Sequence, residues 1–365
     1  MSKIPRKNIY AILGARPQFI KYAPVSSELS KINNINELII HTGQHYDDNM
    51  SNIFFEQLKI KSPHKNLNVN NVSRGEMIGE MIKKINKLFL ENNPDVVLLF
   101  GDTNSTLAGA VAASSFDCEI IHVEAGLRSY NKKMPEEYNR VVADHLSSIL
   151  CVTSEEPYKN LLNEGFSNDK IFITGDVMFD NFKNSEEKIL SKKSYRKFNL
   201  NENSFILTTI HRQENTHNAK RLKKIFKKLN DISSEDCPVV IPLHPATKNK
   251  IVQNNIDTSK ILLLEPLNYL DCLSFVSSSK FVITDSGGLQ KESYYLNKKS
   301  LVIRTETEWV ELINSKASFL VNPDNLDNME NMIGEVSSSE NRLKKDIYGK
   351  GVASKEIRKI IEKII

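Results

Sequence analysis

Two stretches concentrate side chains able to do chemistry: HVEAGLRSYNKKMPEEYNR, residues 122–140, and TDSGGLQKES, residues 284–293. The first strings Glu124, Arg128, Glu136, Glu137 and Arg140 along a strand exit and the start of a helix, more charge than solubility asks of such a junction. The second follows the apolar run FVIT and turns into a helix through Ser286, Gly287 and Gly288. A turn of that kind aims backbone N–H groups and the positive end of a helix dipole at whatever anion sits there, so it reads as a phosphate cradle.

Asp102, in LLFGDTNST, ends the most apolar run of the first half. Each of these acids also has a plain reading. Asp102 can be an N-cap or an Asx turn. Glu136 and Glu137 behind Pro135 are acids of the sort helix N-termini favour. Glu136 and Arg140, at i and i+4, can be a helix ion pair worth about 0.3 to 0.5 kcal/mol. Glu124, followed by Ala and Gly, has little capping to do. The placing of Asp102, Glu124 and Glu136 after neighbouring strands favours acid–base chemistry, because removing and returning a proton on carbon needs several carboxylates around one small volume.

In the second half, His211 in TTIHRQEN and His244 in PLHPATK each end a strand, where a lone histidine is commonly just a satisfied polar residue. Beside DSGG and an arginine they make a diphosphate clamp. Glu292, six residues after Ser286, can accept two hydrogen bonds from a ribose diol. No metal is expected, since no third nitrogen or thiolate ligand has matching spacing. The opening loop, Gly14-Ala15-Arg16-Pro17-Gln18, stands where a dinucleotide-binding fold carries GxGxxG, but it has one glycine, which argues against NAD or FAD. Arg16 and Lys21 can serve instead as cations for phosphates or a sugar, or be an ordinary surface pair at a helix start.

The elements that must position these residues are short Ile-, Val- and Leu-rich runs: IYAIL, ELIIH, VVLLF, EIIHV, ILCVT and IFIT, then FILTTI, VVIPL, ILLLEP, FVIT and SLVIR. Such runs, separated by amphipathic segments, describe parallel strands covered by helices on both faces. The expectation is α/β: two doubly wound Rossmann-like domains, residues 1–182 and 204–347, joined by a polar linker at 183–203 and closed by a helix at 348–365. The polar clusters all follow strands, where open parallel sheets bind ligands. With contributions from both halves, the expected site is a cleft between facing domains.

The 365 residues are enough for about two domains. The net charge of +4, from 49 basic and 45 acidic residues, is a small excess carried by clusters such as RLKKIFKK that read as solvated helix faces, so no nucleic acid is expected as partner. Four dispersed cysteines without a CxxC pair read as buried free thiols of a reducing compartment. No apolar stretch reaches membrane-helix length, and MSKIPRKNIYAILG reads as a basic lead into a strand rather than a signal peptide, so the expected location is the cytoplasm, away from membranes.

As an ordered set, GARPQFIK, TGQHYD, GDTNSTLAGA, HVEAGLRS, MPEEYNR, HRQEN, LHPATK, DSGGLQKE and TEWVE resemble the non-hydrolysing UDP-N-acetylglucosamine 2-epimerases, which share the fold of B-type glycosyltransferases. The resemblance implies catalysis by Asp102, Glu124, Glu136 and His211. It implies nucleotide and sugar contacts from Arg16 and Lys21, phosphate and ribose contacts from Ser286, Gly287, Gly288 and Glu292, and Arg140 beside the catalytic residues, with the sugar on the first domain and UDP on the second. By position Gln44, Arg128 and His244 are further candidate substrate contacts, and Lys132 or Lys133 is the nearest cation for a carboxylate on carbon 6 unless both are solvated loop lysines. It also implies a homodimer and no cofactor. The implied reaction expels UDP by anti elimination across carbons 1 and 2, then returns it with a proton delivered to the other face. Where commoner members read ERPE this chain has Glu308-Trp309-Val310-Glu311, and where many carry Phe in a YxxF segment it has Tyr269 and Cys272. The first departure resembles the branch acting on UDP-2,3-diacetamido-2,3-dideoxyglucuronate. Asp47 replaces a second Gln found beside Gln44 in allosterically regulated members. The competing readings are a UDP-N-acetylglucosamine epimerase, a hydrolysing epimerase, a B-type glycosyltransferase and a non-catalytic nucleotide-sugar sensor.

Overall fold

Strand β4 (Val96–Phe100, VVLLF) is buried at every residue, because helices cover the parallel sheet to which it belongs on both faces. The computed structural model describes residues 6–44, 60–338, 343 and 346–365; Asp47 and the first five residues, on which two sequence expectations partly rest, lie outside them. The chain divides into two compact units, residues 1–183 with 346–365, and residues 184–345.

In the first unit β1 (Lys7–Leu13), β2 (Ile35–His41), β3 (Lys65–Asn66), β4, β5 (Glu119–Val123), β6 (Ile149–Val152) and β7 (Ile171–Ile173) form one parallel sheet in the order β3-β2-β1-β4-β5-β6-β7. The chain leaves β1 toward one edge and resumes at β4 on the other side, so the crevice beyond β1 and β4 is a topological switch point. The covering helices are α1 (Arg16–Leu29), α2 (Arg74–Glu91), α3 (Asn104–Ala113), α4 (Pro135–Leu146), α5 (Glu155–Asn163) and α6 (Val177–Lys192). Helix α2 starts at a capping box: the amide of Glu76 donates to Ser73 Oγ, and the Glu76 carboxylate accepts from the Ser73 amide.

The second unit repeats the logic. Strands β8 (Ile206–Thr209), β9 (Val239–Pro242), β10 (Ile261–Leu264), β11 (Phe281–Thr284), β12 (Ser300–Ile303) and β13 (Ser318–Val321) lie in the order β10-β9-β8-β11-β12-β13, with the switch between β8 and β11. Its helices are α7 (Gln213–Thr216), α8 (Ala219–Ile232), α9 (Pro245–Gln253), α10 (Tyr269–Ser278), α11 (Gly287–Tyr295), α12 (Val310–Asn314) and α13 (Met329–Ser338).

The stretch expected as a linker is not one. Residues 183–192 continue α6, residues Ser194–Phe198 form a 3-10 turn, and Tyr195 and Leu200 are buried in a core cluster with Phe205 and Phe275. Its Lys, Glu and Asn are the solvent face of an amphipathic helix whose Phe182 and Ile189 face inward. The final helix α14 (Ala353–Ile364) buries Ile357, Ile360 and Ile361 in the first unit's core, on the cluster that holds Phe19 and Tyr22. Asp180 fixes its start, accepting from the amides of Ala353 (3.0 Å) and Ser354 (2.7 Å).

All four cysteines are free; Cys151 is buried, its thiol pushed up to about 12 by burial, whereas Cys118, Cys237 and Cys272 are only partly buried. Among the described residues no helix is long and apolar enough to cross a membrane.

Candidate active site

At the first switch point a single buried glutamine ties two loops together. Gln18 Oε1 accepts from the amides of Gly14 (2.8 Å) and Ala15 (3.1 Å), and its Nε2 donates to the Phe100 carbonyl (3.0 Å) and Thr106 Oγ1 (3.1 Å). The amides of Gly14 and Ala15, just before α1, are therefore occupied by the protein's own side chain rather than presented to a phosphate. The polar roles left here fall to side chains. Arg16 is exposed at the first helical position, and Lys21 is buried with Nζ 2.5 Å from Glu124 Oε1.

Glu124 directly follows β5 with a φ of 70°, a left-handed conformation uncommon for a glutamate. Its amide and that of Ala125 both donate to the Cys151 carbonyl, and this pairing holds the kink. Gly101, next to β4, has φ 61°, and a Cβ there would lie 2.8 Å from Lys21 Nζ and 3.6 Å from Glu124 Oε1. Since those atoms are side-chain ends, it is the left-handed backbone at Gly101 that favours glycine in the GDT turn.

Asp102 sits one residue further on. Its carboxylate receives Arg140 Nε (3.0 Å) and Nη2 (2.6 Å), and its carbonyl receives Asn139 Nδ2 (2.8 Å). The pairing of Phe100 with Val123 in β4 and β5 thus carries Asp102 and Glu124 on adjacent strand ends. Gln44, after β2, accepts from the amide (3.1 Å) and hydroxyl (2.9 Å) of Ser105, at the start of α3 beside the same turn.

The acidic pair Glu136 and Glu137 separates into two roles. Glu136 is exposed. Glu137 is buried and accepts from Ser129 N (2.9 Å), Ser129 Oγ (2.8 Å), Tyr130 N (2.9 Å) and Arg140 Nη1 (2.9 Å). Burial works against its charge, but these donors outweigh it and hold the carboxyl below its ordinary pKa. Glu137 therefore locks the loop at 129–133, from which Lys132 and Lys133 project as exposed side chains.

Arg128, expected to meet substrate, is committed elsewhere. Its Nε and Nη2 each lie 2.7 Å from the Glu164 carboxylate, and Nη1 lies 2.7 Å from Asp144 Oδ2 and 2.8 Å from the Leu127 carbonyl. With its donors taken up and the residue 2% exposed, it is structural. Asp144 joins it to His122, whose Nδ1 is 2.6 Å from Asp144 Oδ1 and whose Nε2 is 2.7 Å from the Gly101 carbonyl. Burial alone would raise the Asp144 pKa, but His122 and Arg128 hold it below its ordinary value. This buried network, which sequence spacing could not reveal, supports the turn carrying Asp102 from behind.

At the second switch point Ser286 caps α11, its Oγ accepting from Leu289 N at 3.4 Å. The amides of Gly287 and Gly288 make no hydrogen bond to a described residue, as expected at an anion-binding helix start. Glu292 lies buried on the same helix. His211 follows β8 and His244 follows β9. His244 is the N-cap of α9, with Nδ1 accepting from Ala246 N at 3.2 Å, so one edge of its ring is spent on the helix. The EWVE segment packs on the first turn of α11. Glu308 Oε1 and Trp309 Nε1 would lie 2.7 and 3.4 Å from a Cβ at Gly287, and Lys291 Nζ stands 4.0 Å from the Trp309 ring centroid. Among the described residues no cluster of His, Cys, Asp and Glu could hold a metal.

Two parallel sheets, each with its polar residues gathered at the switch in strand order, make this a two-domain, Rossmann-like α/β enzyme. A family model described as UDP-N-acetylglucosamine 2-epimerase matches residues 27–362. The chain is 40% identical to the UDP-2,3-diacetamido-2,3-dideoxy-D-glucuronate 2-epimerase of Pseudomonas aeruginosa, over 98% of this chain and 99% of that one. It is also 40% identical, over the same shares, to a UDP-N-acetylglucosamine 2-epimerase homolog of Methanococcus maripaludis. The crystal structure of Methanocaldococcus jannaschii UDP-GlcNAc 2-epimerase in complex with UDP-GlcNAc and UDP superposes with a TM-score of 0.88 at 36% identity, covering 98% of this chain and 99% of that one. The chain belongs to the UDP-N-acetylglucosamine 2-epimerase family and is an isomerase, a UDP-sugar 2-epimerase.

Proposed function

We propose that the chain inverts carbon 2 of UDP-2,3-diacetamido-2,3-dideoxyglucuronate, giving the mannuronate epimer for surface-polysaccharide synthesis. A carboxylate removes the carbon 2 proton, the electron pair forms the carbon 1–carbon 2 double bond, and the bond from carbon 1 to UDP breaks. UDP then adds back to carbon 1 of the glycal as a proton is delivered to carbon 2 from the opposite face. Asp102 and Glu124 form the acid–base set, with Glu136 and His211 as further members. Lys21 is the ion-pair partner of Glu124, and Arg140 that of Asp102. Ser286, Gly287, Gly288 and Glu292 receive the nucleotide diphosphate and ribose.

The observation that carries the uronate is the loop at 129–133. Glu137 holds it in one conformation, and it offers Lys132 and Lys133 as cations for a carboxylate on carbon 6. The second reading is UDP-N-acetylglucosamine as substrate, favoured by the solved relative that holds UDP-GlcNAc. Incubating the chain with each sugar nucleotide in heavy water, and following epimerisation and deuterium at carbon 2 by NMR, decides between them. Lys133→Ala should raise KM for the uronate far more than for UDP-N-acetylglucosamine, whose carbon 6 is a neutral hydroxymethyl. Equal effects on both substrates, or none, remove the lysine from the carboxylate contact.

The nucleotide side has its own test. Ser286→Ala and Glu292→Ala should each weaken UDP binding by about 1 to 3 kcal/mol, the cost of a charged hydrogen bond left unmade, as read by calorimetry. Unchanged affinity in both variants would take α11 out of the nucleotide site.

A further inference from the structure

We infer that Asp285 is the positioning residue of His211, holding its imidazole as the tautomer that carries the proton on Nδ1. The inference rests on the reading above only in taking His211 as a member of the catalytic set; the tautomer follows from the place of the Asp285 carboxylate beside Nδ1.

Asp285 follows β11 and is fully buried, and the pairing of Thr209 with Thr284 sets it beside the end of β8, where His211 begins the HRQEN turn. Its two oxygens do unequal work. Oδ2 accepts from three donors: the amides of His211 (3.1 Å) and Arg212 (3.0 Å) and the side-chain amide of Asn215 (3.0 Å). Oδ1 faces the His211 amide at 3.1 Å and the His211 Nδ1 at 3.4 Å. Asn215 also donates to the Ile303 carbonyl at 3.2 Å, which ties the turn to β12. Asp285 thus shapes the backbone that carries His211 and also faces one edge of its ring.

At 3.4 Å the ring contact is electrostatic rather than a formed hydrogen bond, and a carboxylate beside a ring nitrogen favours an N–H over a lone pair at that position. Nε2, on the opposite edge of a side chain 46% exposed, keeps its lone pair outward, where it can take or return a proton. The same division of labour fixes the imidazole tautomer in hydrolytic triads.

Asp285→Asn tests this with almost no change of shape. Three donors converge on the Oδ2 position, so the asparagine oxygen occupies it and the NH2 falls where Oδ1 was, facing Nδ1. The side-chain amide then favours a lone pair at Nδ1 and the proton on Nε2. The measurement is long-range nitrogen–proton NMR on the full chain labelled in its imidazole nitrogens, with His211 identified as the signal missing from His211→Asn. The expected result is a His211 protonated on Nδ1 in the parent and on Nε2 in Asp285→Asn, with kcat lowered by about 10² to 10⁴ and calorimetric UDP binding near the parent's. The same tautomer in both proteins, or an Nε2-protonated His211 in the parent, overturns the inference; the parent spectrum decides it even where the variant does not fold. An active His211→Asn would sink the catalytic role of His211 and leave the tautomer standing. An inactive His211→Asn beside an active Asp285→Asn would sink only the role of Asp285.

Discussion

Glu124→Gln should lower turnover at least about a hundredfold while UDP binding stays nearly intact, because a lost acid or base typically costs 10² to 10⁴ in rate. The amide keeps the volume of the glutamate but loses its charge and its capacity to exchange a proton. The environment makes the effect large. Glu124 is buried, it is held in a left-handed backbone conformation, and its carboxylate is paired with Lys21 at 2.5 Å. The substitution also leaves Lys21 without its anion. A thermal melt run beside the kinetics therefore separates lost chemistry from lost folding. UDP affinity, read by calorimetry, should not move, since the proposed nucleotide contacts Ser286 and Glu292 belong to the other unit. Turnover within a few fold of the parent would remove Glu124 from the acid–base set.

Arg128→Met should instead cost stability, by about 3 to 5 kcal/mol, the range for breaking a buried ion pair by removal of one partner. Methionine fills part of the volume but leaves Asp144 and Glu164 without the guanidinium they share. That loss is a large part of the 5 to 15 kcal/mol by which a domain is typically stable. The location of the single tryptophan makes the test selective. Trp309 lies in the second unit, so its fluorescence follows that unit, whereas far-ultraviolet circular dichroism follows both. In urea, the dichroism midpoint should fall well below the fluorescence midpoint, and KM of the protein that remains folded should be unchanged. An unaltered urea midpoint together with a raised KM would return Arg128 to the substrate.

The difference between Glu124 and Arg128, four residues apart in one motif, shows what one-dimensional reading can do. Local patterns were legible. VVLLF is apolar throughout because it is buried on both faces, and Ser286-Gly287-Gly288 after FVIT announces a helix start with amides to spare, since both properties depend on near neighbours alone. The association of carboxylates with strand ends followed from the same logic. The polar run at 183–203 was misread because composition records how polar a segment is and not which face of a helix the polar residues occupy.

Only the tertiary structure decided which charges are spent and which are presented. Glu137 has the same composition signature as Glu136, yet Glu137, like Arg128 and Arg140, closes a buried hydrogen-bond network while Glu136 lies exposed. The partners responsible, Asp144 and Glu164 for Arg128, and Asp285 for His211, stand 16 to 74 residues away along the chain. No local spacing encodes such a meeting. By itself the sequence determined eleven of the strands, all but the short β3 and the edge strand β13, and the residue types gathered at each strand end. The crossover order of the two sheets determined which strand ends became neighbours, and hence that Lys21 would meet Glu124 and Asp285 would face His211, because a charge's role depends on what surrounds it within a few ångströms and that neighbourhood exists only once the sheets are assembled.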